Sequence, residues 1–109
     1  MASLRLKSRQ WIVDEQDRII IGEGRKEILE TIEKTGSINK TAKAMKMSYK
    51  GAWSRIKATE KSLNTRIVHT DRREGAHLTE EGKALLEKYW LLKNECMTAD
   101  DDIFTTIFK

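Results

Sequence analysis

The spacing of apolar and polar positions changes several times along the chain, and each change marks an element. Leu4-Arg5-Leu6-Lys7 alternates with a period of two, and Trp11-Ile12-Val13 continues a β-prone run. A polar turn, Asp14-Glu15-Gln16-Asp17, then leads to Arg18-Ile19-Ile20-Ile21. Two extended runs around a polar turn predict an N-terminal β-hairpin with about four to eight residues per strand. Gly22 and Gly24 break this pattern. A helical period takes over from about Arg25 to Lys34, with Ile28, Leu29 and Ile32 on one face and Gly36 as the C-terminal stop.

Next come two short helices around a bend. Ser37 caps one over about Ile38 to Met45, where Thr41, Ala42 and Ala44 permit close helix approach. Met45 and Met47 flank the bend. Ser48 then caps a helix over about Tyr49 to Leu63, its hydroxyl accepting from a free backbone N–H. That helix spreads Tyr49, Lys50, Gly51, Ser54, Arg55 and Lys57 around an exposed surface and sets Ala52, Ile56 and Leu63 on the opposite side. Asn64 gives a turn, Thr65 to Thr70 is β-prone, Asp71 to His77 is polar and turn-like, and Leu78 returns as a short strand. A helix, a helix-turn-helix and a small hairpin with arginines at its tip describe a winged helix-turn-helix, mostly α with small β.

Thr79 caps a last helix, with Glu80 and Glu81 in the first turn where carboxylates favour the helix dipole. The helix is expected to end near Met97 or Thr98. Leu85, Leu86, Tyr89, Leu92 and Cys96 recur at spacings of three and four, and Trp90, Leu91 and Met97 widen the stripe. A stripe this broad predicts a long C-terminal dimerisation helix, with Leu85, Leu86, Tyr89, Trp90, Leu92 and Cys96 as the homodimer seam. The plainer alternative is a helix that packs only on its own core. Residues 1–98 therefore read as one domain and 99–109 as an acidic and apolar tail. Ala99 to Asp102 is expected to fray, leaving Ile103, Phe104, Ile107 and Phe108 to dock elsewhere.

A length of 109 residues fits one domain with a modest core. There is no proline, no apolar run long enough to span a bilayer, and no signal-peptide pattern at the N-terminus. The single Cys96 precludes an intramolecular disulfide and fits a reducing cytoplasm.

Charge adds more to the picture. Positions 40, 43, 46, 50, 55, 57, 61, 66, 72 and 73 are Lys or Arg, against only Glu60 and Asp71 in that stretch. This third of the chain thus exceeds the whole chain's net +4, and the remainder is net acidic. A concentrated basic face points to a polyanionic partner, the bland alternative being a solvated lysine-rich surface.

His69, His77 and Cys96 are too few and too scattered for a metal signature, so no metal or cofactor is expected. No Gly-rich phosphate loop, nucleophile elbow or paired-acid motif suggests an enzyme. Nothing in the sequence forms a dedicated oxyanion pocket.

The stretch GSINKTAKAMKMSYKGAWSRI, the LNTRIV that follows and LTEEGKALLEKY resemble the N-terminal domain of the molybdate-responsive ModE regulators. More broadly they resemble the winged helices of LysR-type regulators. The matching positions are Gly36-Ser37-Ile38, Thr41-Ala42, Met47-Ser48-Tyr49, Ala52-Trp53, Ile67-Val68 and Leu78 to Gly82, within about residues 22 to 93. The glycine-rich wing of ModE is reduced here to Gly75. The resemblance implies DNA binding and dimerisation. With Lys109 as the last residue, it is not expected to extend to molybdate sensing.

On that reading Lys50 and Arg55 reach base edges or phosphates, since arginine pairs bidentately with guanine. Tyr49 meets a base methyl or a phosphate, and Lys57, Ser48 and Ser54 lie on the same surface. Gly51 either lets DNA approach the backbone closely or is simply tolerated. Ser37, Asn39 and Lys40 open the second helix, where free N–H groups suit a phosphate. Arg72, Arg73 and His77 in the wing suit the flanking DNA, and Trp53 is expected to pack. The expected partner is double-stranded DNA, bound by a dimer. The alternative is a winged-helix interaction module that pairs with a separate effector-sensing protein.

Overall fold

The computed structural model describes residues 3–108. In chain order it contains β1 (Ile12–Val13), β2 (Ile19–Ile21), α1 (Glu23–Thr35), α2 (Ile38–Ala44), α3 (Tyr49–Leu63), β3 (Val68–Asp71), β4 (Gly75–Leu78) and α4 (Glu80–Phe108). This is the expected winged helix-turn-helix with an N-terminal hairpin. Among the described residues no helix is long and apolar enough to cross a membrane.

Most helix ends are set by local chemistry. Ser37 Oγ accepts from Lys40 N–H at 3.1 Å, and Ser48 Oγ accepts from Gly51 N–H at 2.9 Å, so both caps satisfy a free first-turn donor. Thr79 caps α4 the same way, accepting from Gly82 N–H at 3.0 Å. Gly36 and Asn64 close α1 and α3 in the left-handed conformation. Between α2 and α3, Lys46 takes a positive φ and Met47 N–H returns to the Ala42 carbonyl at 2.9 Å, which makes the tight bend.

Three element boundaries differ from the sequence expectation. The N-terminal strands are short, and Leu4 to Lys7 lies outside them with Leu4 and Leu6 exposed, because their alternation finds no partner strand. Helix α1 begins at Glu23 rather than near Arg25, so Gly24 lies within its first turn. The third difference is the length of α4, which does not end near Thr98 but continues as helix through Asp100-Asp101-Asp102 to Phe108. Once the first turns are docked, each further residue adds a hydrogen bond without a new nucleation cost. Three aspartates at up to about 0.7 kcal/mol each do not stop such a helix, and no glycine or proline follows Gly82.

The core lies where α1, α2 and α3 meet the two hairpins and the start of α4. Ile21, Ile28, Ile32, Ala52, Ile56, Ile67 and Tyr89 are essentially inaccessible. Two buried threonines are satisfied by backbone carbonyls, Thr59 Oγ1 donating to Ile20 at 2.7 Å and Thr41 Oγ1 to Ser37 at 2.8 Å. Thr59, rather than Leu63, is the last buried residue of α3. Leu63, expected on the apolar face, sits exposed one turn beyond the core.

The wing hairpin, β3 paired antiparallel with β4, is fixed against α1 by its backbone. Ala76 N–H donates to the Gly36 carbonyl at 2.9 Å, and Leu78 N–H to Glu33 Oε1 at 2.8 Å. Gly36 and Gly75 both have positive φ, and a Cβ on Gly75 would overlap the Gly36 carbonyl oxygen. Gly82 meets the same limit against the Ile67 carbonyl, which receives Thr79 N–H at 3.0 Å. Wing, α1 and α4 are thereby joined at glycines, and neither Gly75 nor Gly82 leaves room for a side chain.

Beyond this junction α4 projects. Its 29 residues span about 43 Å at 1.5 Å per residue. The whole molecule measures 57 × 30 × 22 Å.

Candidate nucleic-acid interface

Helix α3 stands on Ala52, Ile56 and Thr59, which face inward. At 100° per residue this turns Lys50, Ser54, Lys57 and Lys61 to solvent, and all four are exposed. Tyr49 begins the helix with half its surface accessible and lies beside Thr70, Asp71 and Arg72 of the wing. The same shallow groove is lined by Ser37, Ile38 and Asn39 from the start of α2. The structure thus gathers Ser37, Asn39, Tyr49 and Arg72, which are far apart in sequence, around one depression. Lys40 is exposed on the next α2 position.

Several expected site residues have additional duties. Ser37 and Ser48 serve as caps, and Ser54 Oγ donates to the Gly51 carbonyl at 3.1 Å. The Lys57 ammonium pairs with Glu60 at 3.1 Å and lies 4.5 Å from the centre of the half-buried Trp53 ring, so Trp53 packs as expected. In the wing, Asp71 Oδ1 accepts from Arg73 N–H at 2.6 Å and from Glu74 N–H at 3.3 Å, shaping the turn that presents Arg72 and Arg73. Those backbone bonds hold the Asp71 carboxyl below its usual pKa. His77 is half-buried and lies opposite His69, with ring centres 5.1 Å apart. It is part of strand β4 rather than of the turn-like stretch expected over Asp71 to His77.

Glu60, the other acid of the basic stretch, is turned inward. Its Oε2 accepts from Ile67 N–H at 2.8 Å and Val68 N–H at 3.1 Å, tying α3 to the start of the wing. Burial opposes its ionisation, but these N–H groups and Lys57 outweigh it and lower its pKa. The solvent-facing side of α3 is therefore more uniformly positive than a residue count suggests.

Arg55 lies at the edge of α3 away from the wing, not at the centre of the exposed face. Its Nη1 donates to the Gly51 carbonyl at 2.9 Å. A Cβ on Gly51 would stand 3.3 Å from that nitrogen, so the glycine makes room for the folded-back arginine. On the same side lie Arg25 and Arg9, which sequence reasoning missed, around a hollow that also includes Met45 and Met47. Burial, and then the neighbouring Arg55 charge, lowers the Arg25 pKa. Their spacing in sequence carries no sign of this convergence.

The expected dimer seam divides in two. Tyr89 is fully buried in its own protomer, its hydroxyl donating to the Gln10 carbonyl at 2.6 Å, so it is not available to a partner. Burial and the nearby Glu23 carboxylate push its pKa up to about 12. Leu85 and Leu86 pack on the same core. Trp90 is engaged with α1: its Nε1 donates to Glu30 at 2.8 Å, and the almost buried Lys26 ammonium lies 4.4 Å from its ring centre. A single protomer covers this first part of the stripe because α1 crosses it. Farther along, Leu91, Leu92, Met97, Ile103, Ile107 and Phe108 are exposed, with Cys96 partly so.

Comparison with known proteins agrees with this geometry. A family model described as bacterial regulatory helix-turn-helix protein, lysR family, matches residues 25–83. The chain is 35% identical over 78 residues to the molybdenum transport protein ModE of Azotobacter vinelandii, covering 68% of this chain and 29% of that protein. It is 37% identical over 81 residues to the transcriptional regulator ModE of Yersinia pestis, covering 71% and 31%. The matched region thus spans less than a third of either relative. Among solved structures, a complex of the CbnR DNA-binding domain with DNA has a TM-score of 0.60 at 19% identity, covering 76% of this chain and 95% of that one. Full-length CbnR with its target DNA has a TM-score of 0.59 at 21% identity, covering 74% and 28%, and both share the fold. On the family match, this chain belongs to the lysR family of bacterial regulatory helix-turn-helix proteins.

Proposed function

We propose that this chain is the DNA-reading part of a transcription regulator, with α3 in the major groove and the wing on the flanking backbone. The observation that carries the reading is the solvent face of α3, where Lys50, Ser54, Lys57 and Lys61 stand together while Glu60 is drawn inward. An α-helix with its side chains is about as wide as the major groove, roughly 12 Å. Family membership and the fold shared with DNA complexes support the same conclusion. A dimer through the exposed apolar face of α4 from Leu91 onward would place two such helices on half-sites about one helical turn apart.

A labelled random-sequence duplex, titrated by fluorescence anisotropy, tests DNA binding. Affinity should fall steeply with salt as phosphate contacts release counterions. Lys50→Ala with Tyr49→Ala should lower affinity for a selected site by about tenfold or more while leaving the melting temperature nearly unchanged. No binding even at low salt would refute the reading. Selection from a random DNA library should return a palindrome if the regulator acts as a dimer.

A second reading rests on the uncovered apolar face of α4. Here the chain is an interaction module for a separate effector-sensing protein. Truncation after Thr98 would then abolish partner binding, whereas under the first reading it reduces self-association in sedimentation experiments and leaves α3 competent for DNA.

A further inference from the structure

We propose that the hollow formed by the segment before β1, the start of α1 and the edge of α3 is a second phosphate clamp. In it Arg25 and Arg55 hold a backbone phosphate on the flank of α3 opposite the wing. The inference deepens the DNA-binding reading above and rests on it.

Three guanidinium groups from separate stretches of chain, Arg9, Arg25 and Arg55, line this hollow. Among the described residues none of the three is paired with a carboxylate. The one acid at the rim, Glu23, is already held by Lys93 at 2.6 Å and Lys26 at 3.3 Å. Like charges brought together without a counter-charge repel, and an entering anion relieves that repulsion.

The two inner arginines are also held in place. Arg25 Nη1 donates to the Ile19 carbonyl and to Thr59 Oγ1, and Arg55 Nη1 donates to the Gly51 carbonyl. A guanidinium has five N–H donors, so each retains several for a phosphate oxygen. The space beside Gly24 in the first turn of α1 is open, while Gly22 at the helix end is packed against the Trp11 side chain. Gln10 also lines the hollow, and its buried Oε1 has no hydrogen-bond partner. Turning the carboxamide over presents its Nε2 donor instead.

Position favours a DNA phosphate over a free anion. At 100° per residue, Arg55 and Tyr49 fall on opposite edges of the exposed α3 face, and Tyr49 adjoins the wing. A helix seated in the major groove has one phosphate strand along each edge. The wing side serves one strand, and the arginine hollow serves the other.

The test is the salt dependence of binding to a labelled random-sequence duplex, for the unaltered chain and for Arg25→Gln, Arg55→Gln, Arg25→Lys and Arg18→Gln. Each Gln variant in the hollow should flatten the plot of log K against log salt by about 0.9 for every phosphate left unneutralised. Arg25→Lys should preserve the slope. Arg18→Gln, at an arginine paired with Asp14 in the hairpin, should not change it.

Melting temperatures are measured alongside. A lowered melting temperature with an unchanged slope assigns Arg25 a purely structural role and overturns the proposal. Should Arg25→Gln fail to fold, Arg55→Gln decides the matter, because among the described residues its side chain bonds only within its own helix. Stabilisation of the unaltered chain by inorganic phosphate over chloride at matched ionic strength, lost in Arg25→Gln without any change in DNA slope, assigns the hollow to a free anion and also overturns it. If the unaltered chain binds the duplex but both Gln variants keep its slope, only this inference falls. If the unaltered chain does not bind, the DNA-binding reading falls with it.

Discussion

Replacing Glu60 should separate stability from binding, because this carboxylate serves the fold from within a basic surface. Its Oε2 accepts two backbone donors, Ile67 N–H at 2.8 Å and Val68 N–H at 3.1 Å, from residues that are almost wholly buried. Glu60→Ala leaves both without a partner, at about 1–3 kcal/mol each. The exposed Lys57 pair adds less than about 1 kcal/mol. The total of about 2–7 kcal/mol corresponds to a fall in melting temperature of roughly 8–28 °C for a chain of this length.

Glu60→Gln keeps an acceptor oxygen but loses the charge that makes such bonds about twice as strong. Its cost should be about 1–2 kcal/mol, or roughly 4–8 °C. The folded pKa of Glu60 is lowered from 4.5: burial opposes ionisation, but the Ile67 and Val68 N–H groups and Lys57 prevail. A lowered folded pKa means the stabilisation is fully present above the unfolded value and is lost as pH falls through the folded one. Urea midpoints of the wild type and Glu60→Gln should therefore differ most near neutral pH and converge as pH falls through the lowered folded pKa. At neutral pH the variant's duplex affinity should hold or rise, since a negative charge leaves the basic face. Equal midpoints at pH 7, or a gap that widens on acidification, would refute the reasoning.

Two further substitutions probe the frame that carries the interface. Gly82→Ala drives a Cβ into the Ile67 carbonyl, so α4 and the wing must separate; the cost should reach several kcal/mol, and an unchanged urea midpoint would show that the junction yields freely. Tyr89→Phe removes the hydroxyl that bonds the Gln10 carbonyl and lies 3.4 Å from Glu23 Oε1, and should cost about 1 kcal/mol. Its self-association in sedimentation should match the wild type, and a weakened dimer would return Tyr89 to the intersubunit seam.

The legible parts of this fold depend on bonds that close within a few residues. Ser37, Ser48 and Thr79 each meet a donor three positions on, and Gly36 and Asn64 terminate helices by their own backbone preference. Together with the apolar spacing of α1 and α3, they make the element order and the basic face of the third helix readable from residues alone. The resemblance to ModE and LysR-type winged helices draws on the same local motifs.

The remainder depended on which surfaces meet. A stripe containing Leu85, Tyr89, Trp90 and Leu92 states that something covers that side of α4 but not whether it is α1 or a second copy. The docking of α1 takes Tyr89 and engages one side of Trp90, and leaves the apolar stripe uncovered from Leu91 onward. Periodicity likewise places Arg55 on α3 but cannot bring it beside Arg25 and Arg9, nor turn Glu60 toward Ile67 and Val68. Sequence by itself determined the elements, their caps and the sign of the charge, because those interactions span one or two turns of chain. Tertiary structure decided which apolar residues were already covered and which charges stood unpaired, because those outcomes follow from helices and hairpins packing across the whole domain.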